Sequence, residues 1–285
     1  MSKQVTQINA KDVLIVNGKM LTISKPSVMS IVNLTPDSFY DGGKQGSYKK
    51  LLKRVEKDID HGCSILDLGA ESTRPGAEPV GVEEELKRLL PALKLIRNTF
   101  PEIIISIDTY RSETAIAAAE QGADMINDIS SGTVDENMLE TVAELKLPYI
   151  AMHMKGTPKT MQAKPFYKNL VKEVNDFFTF KLKECKAAGI KNTIIDPGFG
   201  FGKTLEHNYE LLNKLEELKK HKVPVLVGVS RKGMIQKVLS CDAEHSLNGT
   251  SIVNTIALLK GASILRVHDV KEAMEAIKIV NQMKA

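Results

Sequence analysis

The stretch Ile103-Ile104-Ile105-Ser106-Ile107-Asp108 decides the fold of this chain: it is an apolar run of strand length that closes on a carboxylate. Side chains alternate across a strand, so Ile104, Ser106 and Asp108 share one face. Seven more short apolar runs flank it, at 28–32, 64–68, 125–129, 149–152, 193–195, 225–229 and 263–267. Between them lie segments with apolar residues at three- and four-residue spacing, such as 82–100 and 170–188, which predict amphipathic helices. Glycine punctuates the returns into strands at His61-Gly62, Gln121-Gly122, Ala188-Gly189 and Lys260-Gly261. Eight strands alternating with helices predict an α/β fold with a parallel sheet, and eight is the closure number of the (β/α)8 TIM barrel. An open doubly wound sheet shares the alternation and is the structural alternative. Ahead of the first unit, 13–16, Asn17-Gly18 and 20–23 read as an N-terminal β-hairpin with a type I′ turn, expected to plug the bottom of the barrel.

At 285 residues the chain has the usual length of one such barrel, and no composition shift or linker marks a boundary, so 1–285 reads as a single domain. Charged residues make up 26%, and 39 Lys+Arg against 35 Asp+Glu leave an excess of four, scattered among acidic residues. That balance suits solvated helix faces and a weak attraction for a small anion, and it gives no footprint for nucleic acid. No apolar run approaches the roughly 20 residues of a membrane span, and Met1 to Ala10 lacks the apolar centre of a signal peptide. Cys63, Cys185 and Cys241 lie far apart without metal-ligand spacing, and are expected as buried free thiols in a reducing cytoplasm.

Function is carried by the residues that end the strands: Asn33, Asp67, Asp108, Asn127-Asp128, His153, Asp196, Ser230-Arg231-Lys232 and Arg266-Val267-His268. Any one of these could simply be a polar strand end. All eight together fall on the side where barrel enzymes hold their sites. The acceptors Asp108, Asn127 and Asp196 suit a neutral ring with several N–H donors, because a carboxylate can accept two parallel bonds. Lys232, Arg266 and His268 come from the last two strands, whose loops are the usual phosphate site of this fold. A nitrogen-rich heterocycle with a phosphate tail fits both halves.

Two long βα loops, 34–46 and 69–79, read either as lids over a substrate or as mobile surface segments. Pro197-Gly198-Phe199-Gly200-Phe201-Gly202-Lys203-Thr204 misses the P-loop pattern at its first position, and its glycines lack dinucleotide-loop spacing. It reads instead as a glycine turn that brings Phe199 and Phe201 to the pocket. His153, between Met152 and Met154, is open to both a packed and a catalytic reading. His61, His207, His221 and His245 read as surface or helix residues, and no cluster has zinc spacing.

The motifs together resemble those of the dihydropteroate synthase family. Asn33-Leu34-Thr35-Pro36-Asp37-Ser38-Phe39 with Asp41-Gly42-Gly43 is similar to its first signature, and Asp67-Leu68-Gly69-Ala70-Glu71-Ser72-Thr73-Arg74-Pro75-Gly76 to its second. Ser106-Ile107-Asp108, Ile126-Asn127-Asp128, Met152-His153-Met154, Asp196-Pro197-Gly198, Ser230-Arg231-Lys232 and Arg266-Val267-His268 follow in the family's order. The resemblance implies a transferase of folate biosynthesis and a sulfonamide target. It would join 4-aminobenzoate to (7,8-dihydropterin-6-yl)methyl diphosphate and release diphosphate through a cation-like transition state. It implies Asn33 as a ligand of Mg2+, with Thr73, Arg266 and His268 on the diphosphate. Asp108, Asn127, Asp196 and Lys232 are implied at the pterin, with the Arg266 plane packed on it. Phe39, Pro75 and Phe201 are implied at the aminobenzoate, and Asp108, Lys232 and Asp41 as the catalytic set. The expected partners are these two small molecules and a second copy of the chain in a homodimer, with no nucleic acid and no membrane.

Two positions depart from the family pattern. Gly233 stands where many members carry Ser, which removes a side-chain contact to the aminobenzoate carboxylate. Ser246 stands where Arg is frequent, which removes a local ion pair. A pterin-dependent methyltransferase, which would not need the grip of Lys232, Arg266 and His268, and a non-catalytic pterin-binding module are the competing readings.

Overall fold

The computed structural model describes residues 13–16, 19–22, 25–34, 43–71, 80–156 and 165–284. Eight strands form one parallel sheet: β3 (Ser27–Asn33), β4 (Ile65–Gly69), β5 (Ile104–Asp108), β6 (Met125–Asp128), β7 (Tyr149–Met152), β8 (Thr193–Asp196), β9 (Leu226–Val227) and β10 (Ile264–Val267). Their spatial order, β8-β7-β6-β5-β4-β3-β10-β9, is the chain order read around a ring. A doubly wound sheet would show a reversal of that order at a switch point. The two edges meet where Ile195 bridges Val225 and donates its N–H to the Pro224 carbonyl at 3.0 Å. The sheet thus curls into the predicted barrel.

Strand period builds the barrel in layers. Met29, Ile65, Ile104, Met125, Ile150, Ile194, Leu226 and Ile264, one from each strand, pack into a buried apolar cluster. Val16 of the hairpin joins that cluster with no exposure. The hairpin pairs β1 (Val13–Val16) antiparallel to β2 (Lys19–Thr22), and it closes the floor of the barrel as predicted. β2 begins one residue earlier than the sequence suggests, and the turn at 17–18 lies outside the described residues. Two residues further along five of these strands, on the same face, stand Asp67, Ser106, Asn127, Asp196 and Arg266. The opposite face carries Leu66, Ile105, Ile126, Tyr149, Val227 and Leu265 into the larger core under the helices. Burying each such side chain contributes roughly 1.5–3 kcal/mol.

The helices follow their end signals. Helix Val82–Thr99 has Glu83, Glu84 and Glu85 in its first turn and Arg97 in its last, charges that complement the helix dipole. In helix Leu170–Ala188 the Asn169 side chain accepts the Lys172 N–H at 3.1 Å, and Gly189 ends the helix at φ 99°. The 225–229 run forms only a two-residue strand, because beyond Val227 the chain turns and Lys232 N–H bonds back to Val229 O. Among the described residues no helix is long and apolar enough to cross a membrane.

Candidate active site

Arg266 is the hub of the middle layer. Its Nε donates to Asp67 Oδ2 at 2.6 Å and its Nη2 to Asp108 Oδ2 at 2.6 Å. Asn127 Nδ2 reaches the same Asp67 Oδ2 at 3.0 Å. The second oxygens, Asp67 Oδ1 and Asp108 Oδ1, are buried with no hydrogen-bond partner among the described residues. Such orphan acceptors are costly unless a ligand or water supplies a donor. Burial pushes the Asp108 carboxyl up to about 7; Arg266 opposes this, and Asp67 adds to it. For Arg266, burial acts against the charge, but Asp67 and Asp108 outweigh it and hold the guanidinium above its ordinary range. Asp196, on the same layer, accepts the Gly198 N–H at 2.7 Å through Oδ1. Burial raises its carboxyl, against the pull of Lys232.

Lys232 leans over the turn that follows β8. Its Nζ donates to Phe199 O at 2.5 Å and lies 4.7 Å from the Phe201 ring centroid. Burial brings this amine down to about 8, with Asp196 acting in the opposite direction. The turn is pressed against the backbone after β7. A Cβ on Gly198 (φ 67°) would lie 2.0 Å from His153 O, and one on Gly202 (φ 62°) 2.3 Å from Lys155 O. Glycine alone fits both the conformation and the space. Beneath the turn, buried Lys203 donates to Gly198 O at 2.9 Å and Phe201 O at 3.1 Å, with Nζ 3.0 Å from His153 Nδ1. Burial lowers its amine to about 7.

The third step of the layers brings in Asn33, which pairs with Gly69 and has no side-chain hydrogen bond to another described residue, and His268. Ser230 Oγ lies 3.1 Å from His268 Nδ1 and accepts the His268 backbone N–H at 3.2 Å. Arg231 is occupied elsewhere, in a two-point ion pair with Asp269 at 2.8 and 2.7 Å.

Several expectations are refined. Phe199 is fully buried in the core, so of the two aromatic residues only Phe201 faces the site under Lys232. Alternate glycines turn successive side chains to opposite sides. His153 takes the packed reading: it is buried, edge-on to Phe177 at 5.0 Å, and burial and then Lys203 hold its ring neutral. Asp128 faces away from Asn127 and accepts from Ser130, Gly132 and Tyr149, which fixes the 128–132 turn. Cys63 and Cys185 are buried free thiols, whereas Cys241 is half-buried. Phe39, Asp41, Thr73 and Pro75 lie outside the described residues, as does most of both long loops. Sequence reasoning placed Asp67 and Ser230 among the strand ends without a specific role, and gave Lys203 none. The period-two phase of Ile65, Asp67 and Gly69 was the available signal for Asp67.

Fold and site define a barrel enzyme with buried acceptors for a nitrogen-rich ring beside cations for an anionic tail. The family model described as "Pterin binding enzyme" matches residues 29–268. The chain is 46% identical over 269 residues to the dihydropteroate synthase of Escherichia coli K12, covering 94% of this chain and 95% of that protein. The Yersinia pestis dihydropteroate synthase, solved as a sulfonamide drug complex, superposes with a TM-score of 0.90 at 42% identity, over 95% of this chain and 99% of that one. The Xanthomonas albilineans enzyme, solved with 4-aminobenzoic acid, gives a TM-score of 0.89 at 37% identity, over 96% and 98% of the two chains. This chain belongs to the dihydropteroate synthase family.

Proposed function

We propose that the chain, acting as one domain, joins 4-aminobenzoate to (7,8-dihydropterin-6-yl)methyl diphosphate, giving 7,8-dihydropteroate and diphosphate in folate biosynthesis. The observation that carries this reading is the crown in which Asp67, Asp108, Asn127 and Asp196 surround Arg266 and Lys232. The orphan oxygen of Asp108, together with Asp196 and Asn127, supplies acceptors for the N–H edge of the pterin. Arg266, pinned at Nε and Nη2, presents a fixed guanidinium plane for the ring to pack on. Phe201, with Phe39 and Pro75, forms the aminobenzoate pocket, where sulfonamides would compete. Thr73 and His268 hold the diphosphate, and Asp41 belongs to the catalytic set.

In the reaction the bond from the pterin methylene to oxygen breaks, and its electron pair leaves with the diphosphate. Positive charge grows on the methylene, and the Asp108 carboxylate stabilises it without forming a bond. The amine of 4-aminobenzoate then forms the new C–N bond, and its proton passes to solvent or to the departing anion. Lys232 and Arg266 offset the negative charge that accumulates on the leaving group.

The residues present suit a Mg2+ that arrives with its substrate. Among the described residues no three His, Cys, Asp or Glu side chains form a metal cage, and Asn33 offers one amide oxygen at the rim. Mg2+ commonly takes few protein ligands and completes its octahedron with water and substrate phosphates. When bound, it would neutralise diphosphate charge. A homodimer is proposed through helix Leu247–Leu259, supported by exposed Ile252, Ile256 and Leu259 at i, i+4 and i+7. Sedimentation of Ile256→Glu as a monomer would bear this out. A cytoplasmic location is proposed on the three free thiols. The deciding assay is diphosphate release that requires both substrates; release from the pterin substrate alone would defeat the reading.

A further inference from the structure

Ser230 and His268 sit at the ends of neighbouring strands, and their contacts bear on where the imidazole proton lies. Ser230 is buried, and among the described residues its hydroxyl meets only the His268 backbone N–H, at 3.2 Å, and His268 Nδ1, at 3.1 Å. A hydroxyl has one proton to give. The backbone N–H already points at Oγ, so that proton is left for Nδ1. The opposite tautomer would aim two N–H groups at Oγ and leave a buried O–H with no acceptor, an arrangement that folded proteins avoid.

We infer that Ser230 is a positioning residue that fixes His268 as the neutral Nε2–H tautomer, so that the diphosphate meets a hydrogen-bond donor there and not another cation. This rests on the placement of diphosphate at His268 given above. The surroundings agree with a neutral ring. Burial is the main influence; Arg266 on β10, Arg231 after β9 and Arg54 on helix Gly43–Asp60 act with it, and Asp269 acts against it. Asp269 is held by both arms of Arg231, while Asp58, the carboxylate beside Arg54, is taken by Arg54 and Ser30. Arg54 also donates to the His268 carbonyl at 2.9 Å, which fixes the backbone on which the ring stands. A donor held this way keeps its hydrogen bond to the leaving group across neutral pH, without tightening the grip on released diphosphate by a further full charge.

The test uses the full-length protein labelled with 15N at histidine, followed in long-range 1H–15N spectra between about pH 5.5 and 8. Wild type should show His268 with a protonated Nε2 and a bare Nδ1 throughout. Ser230→Ala should mix the tautomers, and Ser230→Thr, which keeps the hydroxyl, should restore the wild-type pattern. Inorganic diphosphate with Mg2+ should bind Ser230→Ala about two- to fivefold more weakly than wild type near pH 8, because only the donor tautomer is competent. A proton on Nδ1, an imidazolium at neutral pH in wild type, or a Ser230→Ala spectrum identical to wild type overturns the inference. If the tautomer is as inferred but added diphosphate leaves the His268 signals unmoved, the diphosphate placement is overturned and the tautomer stands.

Discussion

Asp67 and Arg266 are joined over the top of β3: the guanidinium Nε lies 2.6 Å from Asp67 Oδ2, on a carboxylate with no solvent exposure. Because the same oxygen takes Asn127 Nδ2, one buried atom orients two residues assigned to the pterin. Asp67 itself is positioned to act through them.

Asp67→Ala should therefore do double damage. Arg266 keeps Asp108 as its counter-ion, but the hydrogen bonds from Arg266 and Asn127 to a buried carboxylate are lost, at about 1.5–3 kcal/mol each. Pterin affinity should fall with it as Arg266 and Asn127 lose their anchor. Urea unfolding and calorimetric pterin titration measure the two effects. Stability and affinity both equal to wild type would remove Asp67 from this role.

Asp108 should leave its mark on pH dependence. Its folded value, about 7, is above the ordinary 3.8, so the native state holds a proton that the unfolded chain releases. The stability it contributes is full below the ordinary value and is lost as pH rises toward 7. Asp108→Asn copies the neutral acid, so it should gain stability relative to wild type on going from about pH 5 to 8. Catalysis runs the other way, because the carboxylate is the useful form. Wild-type kcat/KM should fall on the acid side of neutrality, and Asp108→Asn should lose both most activity and that limb. An acid limb that persists in the variant would assign it to another group.

For Lys203 the sign is reversed. Its folded amine, near 7, lies below the ordinary 10.5, so the native state has given up a proton that the unfolded chain keeps. Native stability through this group is lowest below about pH 7 and rises toward pH 10.5. Lys203→Met should thus compare best with wild type near pH 6 and worst near pH 9. With the clamp on Gly198 O and Phe201 O gone, KM for aminobenzoate should rise more than KM for the pterin substrate. Equal changes in both would point to a general loss of packing.

Among the described residues, nothing outside its own helix backbone and chain neighbours lies within 4 Å of where a Cβ on Gly233 would stand, and Gly233 opens the helix Gly233–Leu239 after Lys232. Gly233→Ser should fold as well as wild type and restore the side-chain contact that the family pattern has at this position. One added hydrogen bond to a carboxylate contributes about 1.5–3 kcal/mol, so aminobenzoate KM should drop by roughly ten- to a hundredfold. An unchanged KM would show that the aminobenzoate carboxylate lies elsewhere.

Strand phase is local, and it made most of the architecture legible. Ile104, Ser106 and Asp108 announced one inward face, and the barrel places its apolar floor and polar layer on that phase. What was not legible depends on contacts between distant residues. Asp67 and Arg266 are 199 positions apart, so no spacing could show that a predicted phosphate-gripping cation is already pinned by two carboxylates. Phe199 and Phe201 looked equivalent until the positive φ of Gly198, Gly200 and Gly202 turned one inward to the core. The apolar run 225–229 promised a full strand, yet its ladder closes over only two residues.

The hairpin seated on Val16 has a practical corollary. It occupies the end of the barrel opposite the strand ends that carry Asp108, Asp196 and His268. A reporter or affinity tag fused directly ahead of Val13, in place of 1–12, would therefore leave from the far pole of the molecule, away from the approach of substrates. Immobilising the protein by that end would present every copy to solution mouth outward.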